Sequence, residues 1–201
     1  MTHTKQTIGD LCVQDRKIIP PDSPLAKELP FLGLEHIESV TGRILRAAMS
    51  DSTSGAGTTF LFDPRHVLYC KLRPYLNKVA TPDFRGRCTT ELIPLLPKEN
   101  VSRDFLAWLL RKPQIVQAAM EERTGARMPR ANVRHILAQT VFVPDSIQDQ
   151  QQLADEMTRR MNLVIKTKMA FNEQLQLLDA YTAKTLEEFP VPSPNADENE
   201  K

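Results

Sequence analysis

The chain has 201 residues, 41% of them hydrophobic and 25% charged, which suffices for one ordinary core with an appendage. Net charge is only +1, and the three widely spaced cysteines, Cys12, Cys70 and Cys88, hold no CxxC pair, which argues against a disulfide framework or a zinc cage. The polar first twenty residues do not resemble a signal peptide and no window approaches the ~18 apolar residues that span a bilayer, so the expectation is a soluble, cytoplasmic protein with reduced thiols and no membrane partner.

In chain order, Ile8–Val13 reads as an edge strand, and the proline cluster from Pro20 to Pro24 forbids regular structure just after it. Phe31–Ile37 is a strand candidate, followed by a turn at Thr41 and Gly42 and a second strand at Arg43–Leu45. Ser50–Thr59 is small and polar, with Gly55 and Gly57, and predicts a mobile loop; it lacks the spacing and lysine of a Walker loop.

The middle of the chain carries the most informative stretch, Asp63–Lys78, where strand-forming apolar residues alternate with cations. A strand here sends Lys71, Arg73 and Lys78 to one side with Tyr75 among them, so that phosphate-binding charge and a flat ring sit together. Val67–Leu72 and Thr89–Leu96 read as buried strands, joined by a turn at Ala80–Arg87 in which Arg85 and Arg87 flank Gly86. Ser102 then offers an N-cap hydroxyl before the periodic run Phe105, Leu106, Leu109 and Leu110, which Pro113 interrupts. A second helix spans Gln114–Glu122, a cationic loop spans Arg123–Arg130, Asn132–Leu137 is a short helix, and Gln139–Pro144 is a last strand closed by proline.

From Ser146 there is no Gly or Pro until Pro190, and Ser146 to Asp149 has the form of a capping box. Steps of four and three from Gln150 pass through Ala154, Met157, Met161, Val164, Lys168, Phe171, Leu175, Leu178, Thr182, Thr185 and Phe189. That spacing predicts a helix of about 40 residues, ~60 Å long, with an apolar seam, whereas a domain of about 145 residues is only ~30 Å across. Part of the seam therefore needs another helix, and the simplest supplier is a second copy of the chain; the alternative is a seam folded back on its own domain. Lys168, Thr182 and Thr185 make the seam imperfect, which suits a helix with further partners. The tail from Pro190, rich in proline and acid, is expected to be disordered.

Three segments in this order resemble one family. Ile8-Gly9-Asp10-Leu11, followed by Phe31–Ile37 and Gly42-Arg43-Ile44, resembles the opening of a half-unit of the specificity (S) subunits of type I restriction-modification enzymes. Val67–Lys78 is similar to the central element of that family, and Pro144–Leu153 to the proline-plus-Glu-Gln-x-x-Ile start of its long helix, with Asp149 for Glu and Leu153 for Ile. The resemblance runs from about residue 8 to 185 and implies an α+β fold: a target recognition domain (1–145), a long helix that pairs as a coiled coil (146–189) and a tail (190–201). It further implies a non-catalytic subunit that reads half of a bipartite double-stranded DNA site. The helix would dock the methyltransferase subunits and, as a further candidate, the restriction subunit, which would bring S-adenosylmethionine, ATP and Mg. Family members usually carry two such domains and two helices, so the single copy here is either a half-subunit that dimerises through Met157, Met161, Val164, Phe171, Leu175 and Leu178 or a piece of a longer chain. A homodimer would read an inverted repeat with a fixed gap.

Charge agrees with a polyanion partner. Residues 65–134 hold fourteen Lys or Arg against six Asp or Glu, a local footprint where any single cation would pass for a solvated surface charge. Three groups are candidates for DNA contact: Lys71, Arg73, Tyr75 and Lys78; Arg85 and Arg87; and Arg123, Arg127, Arg130 and Arg134. Tyr75 suits either a stacking surface ring or a core ring against Pro74. The amino-methyltransferase signature of Asn or Asp followed by Pro-Pro and an aromatic, a glycine-rich cofactor loop and a Ser-His-Asp set are missing, and His66 and His135 read as packed or surface residues. Two rival readings stand beside this one: a coiled-coil nucleic-acid or protein adaptor, and a small metal-dependent nuclease built on Asp83 and Glu91, although Ile93 sits where such a nuclease needs Lys.

Overall fold

The computed structural model describes residues 2–45, 57–125 and 127–189, so most of the expected loop at Ser50–Thr59 and the whole tail lie outside the described residues. Two compact units result, Met1–Met157 and Thr158–Lys201.

The first unit is built on two four-stranded sheets. One orders β2 (Cys12–Gln14), β9 (Leu92–Pro97), β6 (Val67–Cys70) and β7 (Val79–Ala80), all antiparallel, and the other β3 (Ile18–Ile19), β5 (Thr59–Phe62), β8 (Gly86–Thr89) and β4 (Phe31–Leu32), the last pair parallel. β6 is buried at all four residues, with Leu68 facing Pro94 and Tyr69 facing Ile93 across the ladder and α3 (Arg103–Leu110) packed against it. A strand covered on both faces has no reason to alternate, and its uniform apolar run reflects this. Leu106, Leu110 and Ile115, the last from α4 (Pro113–Glu121), close the core beside Leu92, Ile93 and Leu95. The three thiols are buried and free, and burial pushes that of Cys12 up to about 12 and that of Cys70 to about 11.

Several elements depart from the sequence expectation for local reasons. Ile8–Val13 is not a strand throughout: Ile8–Leu11 form a helical turn, α1, because Thr7 and Asp10 make a reciprocal cap, Asp10 N–H donating to Thr7 Oγ1 (3.2 Å) and Thr7 N–H to Asp10 Oδ2 (2.9 Å). The proline cluster does not end regular structure either, since Pro24 opens helix α2 (Pro24–Glu28) at the first-turn position where a missing N–H costs nothing. Of Phe31–Ile37 only two residues are strand; Gly33 N–H donates to His36 Nδ1 (3.0 Å) and folds Leu34–His36 into a 3-10 turn. Arg43–Leu45 reduces to one bridge, Ile37 to Ile44, beyond Gly42, whose φ of +70° and whose neighbour, the Val79 carbonyl 1.8 Å from where a Cβ would stand, admit only glycine. Thr89–Leu96 divides at Thr90 and Glu91 into β8 and β9, and Gly86 and Arg87 belong to β8 rather than to a turn.

The caps fall where the sequence puts them. Ser102 Oγ accepts from Phe105 N–H at the start of α3, and Asn132 Oδ1 from Arg134 and His135 N–H at the start of α5 (Val133–Leu137). The last strand, β10 (Thr140–Pro144), pairs with β1 (His3–Thr7). Helix α6 follows over 41 residues, Ile147–Glu187, with Ser146 Oγ accepting from Asp149 N–H. Its first turn holds a buried polar side chain: Gln150, 2% exposed, accepts from Ser102 N–H (2.9 Å) and donates to the carbonyls of Pro144 (3.0 Å) and Asn100 (3.2 Å). Ser102 Oγ adds a bond to Gln151 Oε1 (2.7 Å), and Ala154 is buried one turn on. In the second unit the apolar side chains of α6, including Leu163, Val164, Phe171, Leu175 and Leu178, are exposed.

Gln150→Ala should cost about 3 kcal/mol, because it strands a buried N–H and two carbonyls, whereas Gln151→Ala should cost under about 1 kcal/mol; urea unfolding followed by the single Trp108 separates the two. The Asp63 carboxyl is held well below the usual range by the hydrogen bonds of Arg65. A depressed folded pKa gives stability that is present above the unfolded value of about 4 and lost as pH falls below it. Asp63→Asn should therefore flatten the fall in stability between about pH 5 and 3, measured by the same unfolding series.

Candidate nucleic-acid interface

The site grows from the way β6 ends. After Cys70 the chain leaves the sheet: Lys71 N–H donates to the Glu91 carbonyl (3.0 Å), Leu72 is buried as an anchor, and Arg73 turns into the left-handed region at φ +49°. Pro74–Leu76 form a 3-10 turn, Asn77 is again left-handed, and Cys70 N–H donates to the Lys78 carbonyl (3.0 Å) as the chain returns in β7. The expected single strand with Lys71, Arg73 and Lys78 on one side is therefore replaced by a reversal. Pro74 cannot donate to a ladder, and two left-handed residues around it turn the chain back. Lys78 moves away from the group, its Nζ donating to the Leu34 carbonyl (2.7 Å). Arg111 supports the turn from beneath: it lies over the Trp108 ring (4.7 Å), donates to the Val79 carbonyl (2.6 Å), and its own carbonyl accepts from Asn77 Nδ2 (3.0 Å). Burial pulls its guanidinium down to about 10.

The second loop follows α4. Thr124 and Arg130 exchange two backbone hydrogen bonds (2.9 and 2.8 Å) around Gly125, whose φ is +83°. The two loops are then tied to each other: Arg73 N–H donates to the Pro129 carbonyl (2.7 Å), Ala131 N–H to the Lys71 carbonyl (2.8 Å), and Leu72 forms a bridge with Arg130. Residues nearly sixty positions apart in sequence thus share one lip, which brings Lys71 and Arg73 beside Arg130, with Tyr75 farther along the first loop and Arg123 and Arg127 along the second. Tyr75 is 51% exposed and is a surface ring, not a core one. Arg123 donates to the Met120 carbonyl at the end of α4, and Met128 is an exposed apolar tip between Arg127 and Arg130.

Glu91 sits under this lip, a residue that the sequence presents only as a possible metal ligand. Its Oε1 accepts from Arg130 Nε (2.9 Å) and lies 2.9 Å from Arg130 Nη2, and its Oε2 lies 3.8 Å from Lys71 Nζ. Partners 20 and 39 positions away leave no spacing signal by which to find this role. Among the described residues no group of three or more His, Cys, Asp or Glu side chains is placed to hold a metal ion.

The other candidates differ in exposure. Arg85 is exposed, but Arg87 is only 3% exposed: it lies over the Phe31 ring (5.1 Å) and donates to the Leu29 carbonyl (3.3 Å), so it fastens β8 to the segment before β4 and offers no surface to a ligand. Arg134 is exposed on α5. On α6, Met157, Val164, Phe171, Leu175 and Leu178 are exposed and Met161 is half-buried.

No protein-family model matches the chain, and neither does any curated protein. Solved structures are. The HsdS subunit from Thermoanaerobacter tengcongensis matches over 97% of this chain and 51% of its own, with a TM-score of 0.65 and 17% identity. A chain from a structure of complex assembly and conformational transition in the type I R-M system matches over 97% of this chain and 51% of its own, with 0.66 and 16%. The type I restriction-modification S subunit from M. genitalium matches over 94% and 47%, with 0.51 and 12%. The chain spans about half the length of these proteins, and at such identities the likeness is one of fold: a mixed α+β domain followed by one long helix, as in about half of a type I specificity subunit.

Proposed function

We propose that this chain is a double-stranded DNA-reading module of a type I restriction-modification system, non-catalytic in itself, that reads half of a bipartite site. The observation that carries the reading is the lip: two cationic loops, remote in sequence, hydrogen-bonded into one surface with an exposed ring at Tyr75. Lys and Arg on such a surface supply phosphate affinity, and a flat ring and a fixed guanidinium supply contacts to bases. The fold likeness supports the same reading. Lys71, Arg73, Tyr75, Arg123, Arg127 and Arg130 form the core of the interface in this proposal, with Arg85 and Arg134 as outlying phosphate contacts.

Helix α6 pairs with a second copy in this reading. A helix whose apolar side chains are exposed at steps of four and three, Phe171 at 64% among them, gains by burying them against an equivalent helix. A two-fold pair presents two identical readers, so the site is an inverted repeat with a fixed gap. The polar seam positions Lys168, Thr182 and Thr185 leave room for methyltransferase and restriction subunits, which bring S-adenosylmethionine, ATP and Mg in the cytoplasm.

Replacing Arg123 and Arg127 together with Ala should lower the slope of log affinity against log salt by about 2, since each lost phosphate contact releases roughly 0.9 of a counterion less; an unchanged slope in duplex-binding titrations would remove both from the interface. Sedimentation should give twice the chain mass for the wild type and the single mass for Leu175→Asp with Leu178→Asp. A monomeric wild type at micromolar concentration would refute the pairing.

A further inference from the structure

We propose that Arg130 reads a guanine and that Glu91 is the residue that positions it. This rests on the DNA-reading function above and assigns the specificity within it. A guanidinium has two hydrogen-bonding edges: the side edge of Nε and one Nη2 hydrogen, and the end edge of Nη1 and the other Nη2 hydrogen. Glu91 Oε1 takes the side edge of Arg130, with Nε and Nη2 both at 2.9 Å. The end edge stays unused by this contact, and it is the edge that presents two parallel N–H groups to the O6 and N7 acceptors of guanine in the major groove.

Three further observations favour a reader over a simple structural ion pair. The backbone of Arg130 is fixed by its two hydrogen bonds with Thr124, so the origin of the side chain is as rigid as its tip. The Arg130 side chain remains 43% exposed while that of Glu91 is 19% exposed, which places the carboxylate on the protein side and the guanidinium toward solvent. The Lys71 ammonium, 3.8 Å from Glu91 Oε2, shares the same carboxylate, so the cluster of three groups keeps a net positive charge for an incoming phosphate backbone. Pre-organisation of this kind removes much of the entropy that a free arginine loses on binding a base. Lysine cannot replace it, because an ammonium is a point donor without a planar fork.

The test is selection of bound duplexes from a random pool with wild type, Arg130→Lys and Glu91→Gln, each checked for native unfolding behaviour, together with affinity for random duplex. Wild type should select guanine at one position of each half-site. Arg130→Lys should keep random-duplex affinity within about twofold and lose about tenfold of the guanine preference at that position only. Glu91→Gln should weaken the same preference while random-duplex affinity stays equal or rises, because a negative charge under the lip has gone. Retention of the guanine preference by Arg130→Lys, or a uniform loss over all positions, overturns the assignment and leaves the DNA-reading function standing. A wild type without any base preference overturns the function itself and the assignment with it.

Discussion

Two backbone hydrogen bonds, Arg73 N–H to the Pro129 carbonyl and Ala131 N–H to the Lys71 carbonyl, decide what this surface can do. Each contributes on the order of 1 kcal/mol, yet without them the loops after β6 and after α4 would carry their cations apart. Bringing like charges together opposes folding, and the structure answers with one carboxylate placed between two cations, Glu91 between Arg130 and Lys71. The left-handed residues Arg73 and Asn77 follow from the same constraint, since the chain must reverse within four residues to let Lys71 and Arg73 meet the second loop. The cost of a non-glycine residue in that region, about 1–2 kcal/mol, is offset by the bonds made from Arg73 N–H and from Leu76 N–H to the Arg73 carbonyl (2.9 Å).

The long helix obeys a different rule. Its length comes from a run without Gly or Pro, but its attachment centres on one carboxamide, Gln150, which makes three hydrogen bonds inside the first unit beside the Ser102–Gln151 bond and buried Ala154. Gln150 satisfies the last carbonyl of β10 and the N-cap N–H of α3 at once, so the strand, the short helix and the long helix are registered by a single side chain. Ala154 is buried one turn on, whereas in the second unit most side chains of α6 are exposed. The exposed apolar side chains of its second part, Phe171, Leu175 and Leu178 among them, are the basis on which we propose that the helix pairs.

What was legible in the sequence was local. Ser102, Asn132 and Ser146 announce helix starts because a cap acts within three residues, and the uninterrupted run after Ser146 announces α6 because only Gly or Pro would stop it. Strand β1, His3–Thr7, has no apolar signal at all and exists because β10 pairs with it more than a hundred residues later. The turn of α1 did leave a signal, Thr7 and Asp10 at capping-box spacing, which the apolar character of Ile8–Val13 outweighs on paper but not in the fold. For the site, the surplus of cations could be counted, but their grouping could not, since it depends on a ladder between loops remote in sequence. Arg87 illustrates the difference: beside Arg85 in sequence it reads as a twin, and in the fold it is buried over Phe31 with a structural task.

The fold is like that of about half of a type I specificity subunit, and the surface that we propose to face DNA is the joined lip of residues 71–76, 123–125 and 127–131. The most direct measurement places a photo-crosslinking benzoylphenylalanine at Tyr75 or at Met128, both exposed and both among the cations, and irradiates the protein on the duplex that it selects. Crosslinks to DNA from both positions are the predicted result. A protein that still binds the duplex while neither position crosslinks would contradict the account.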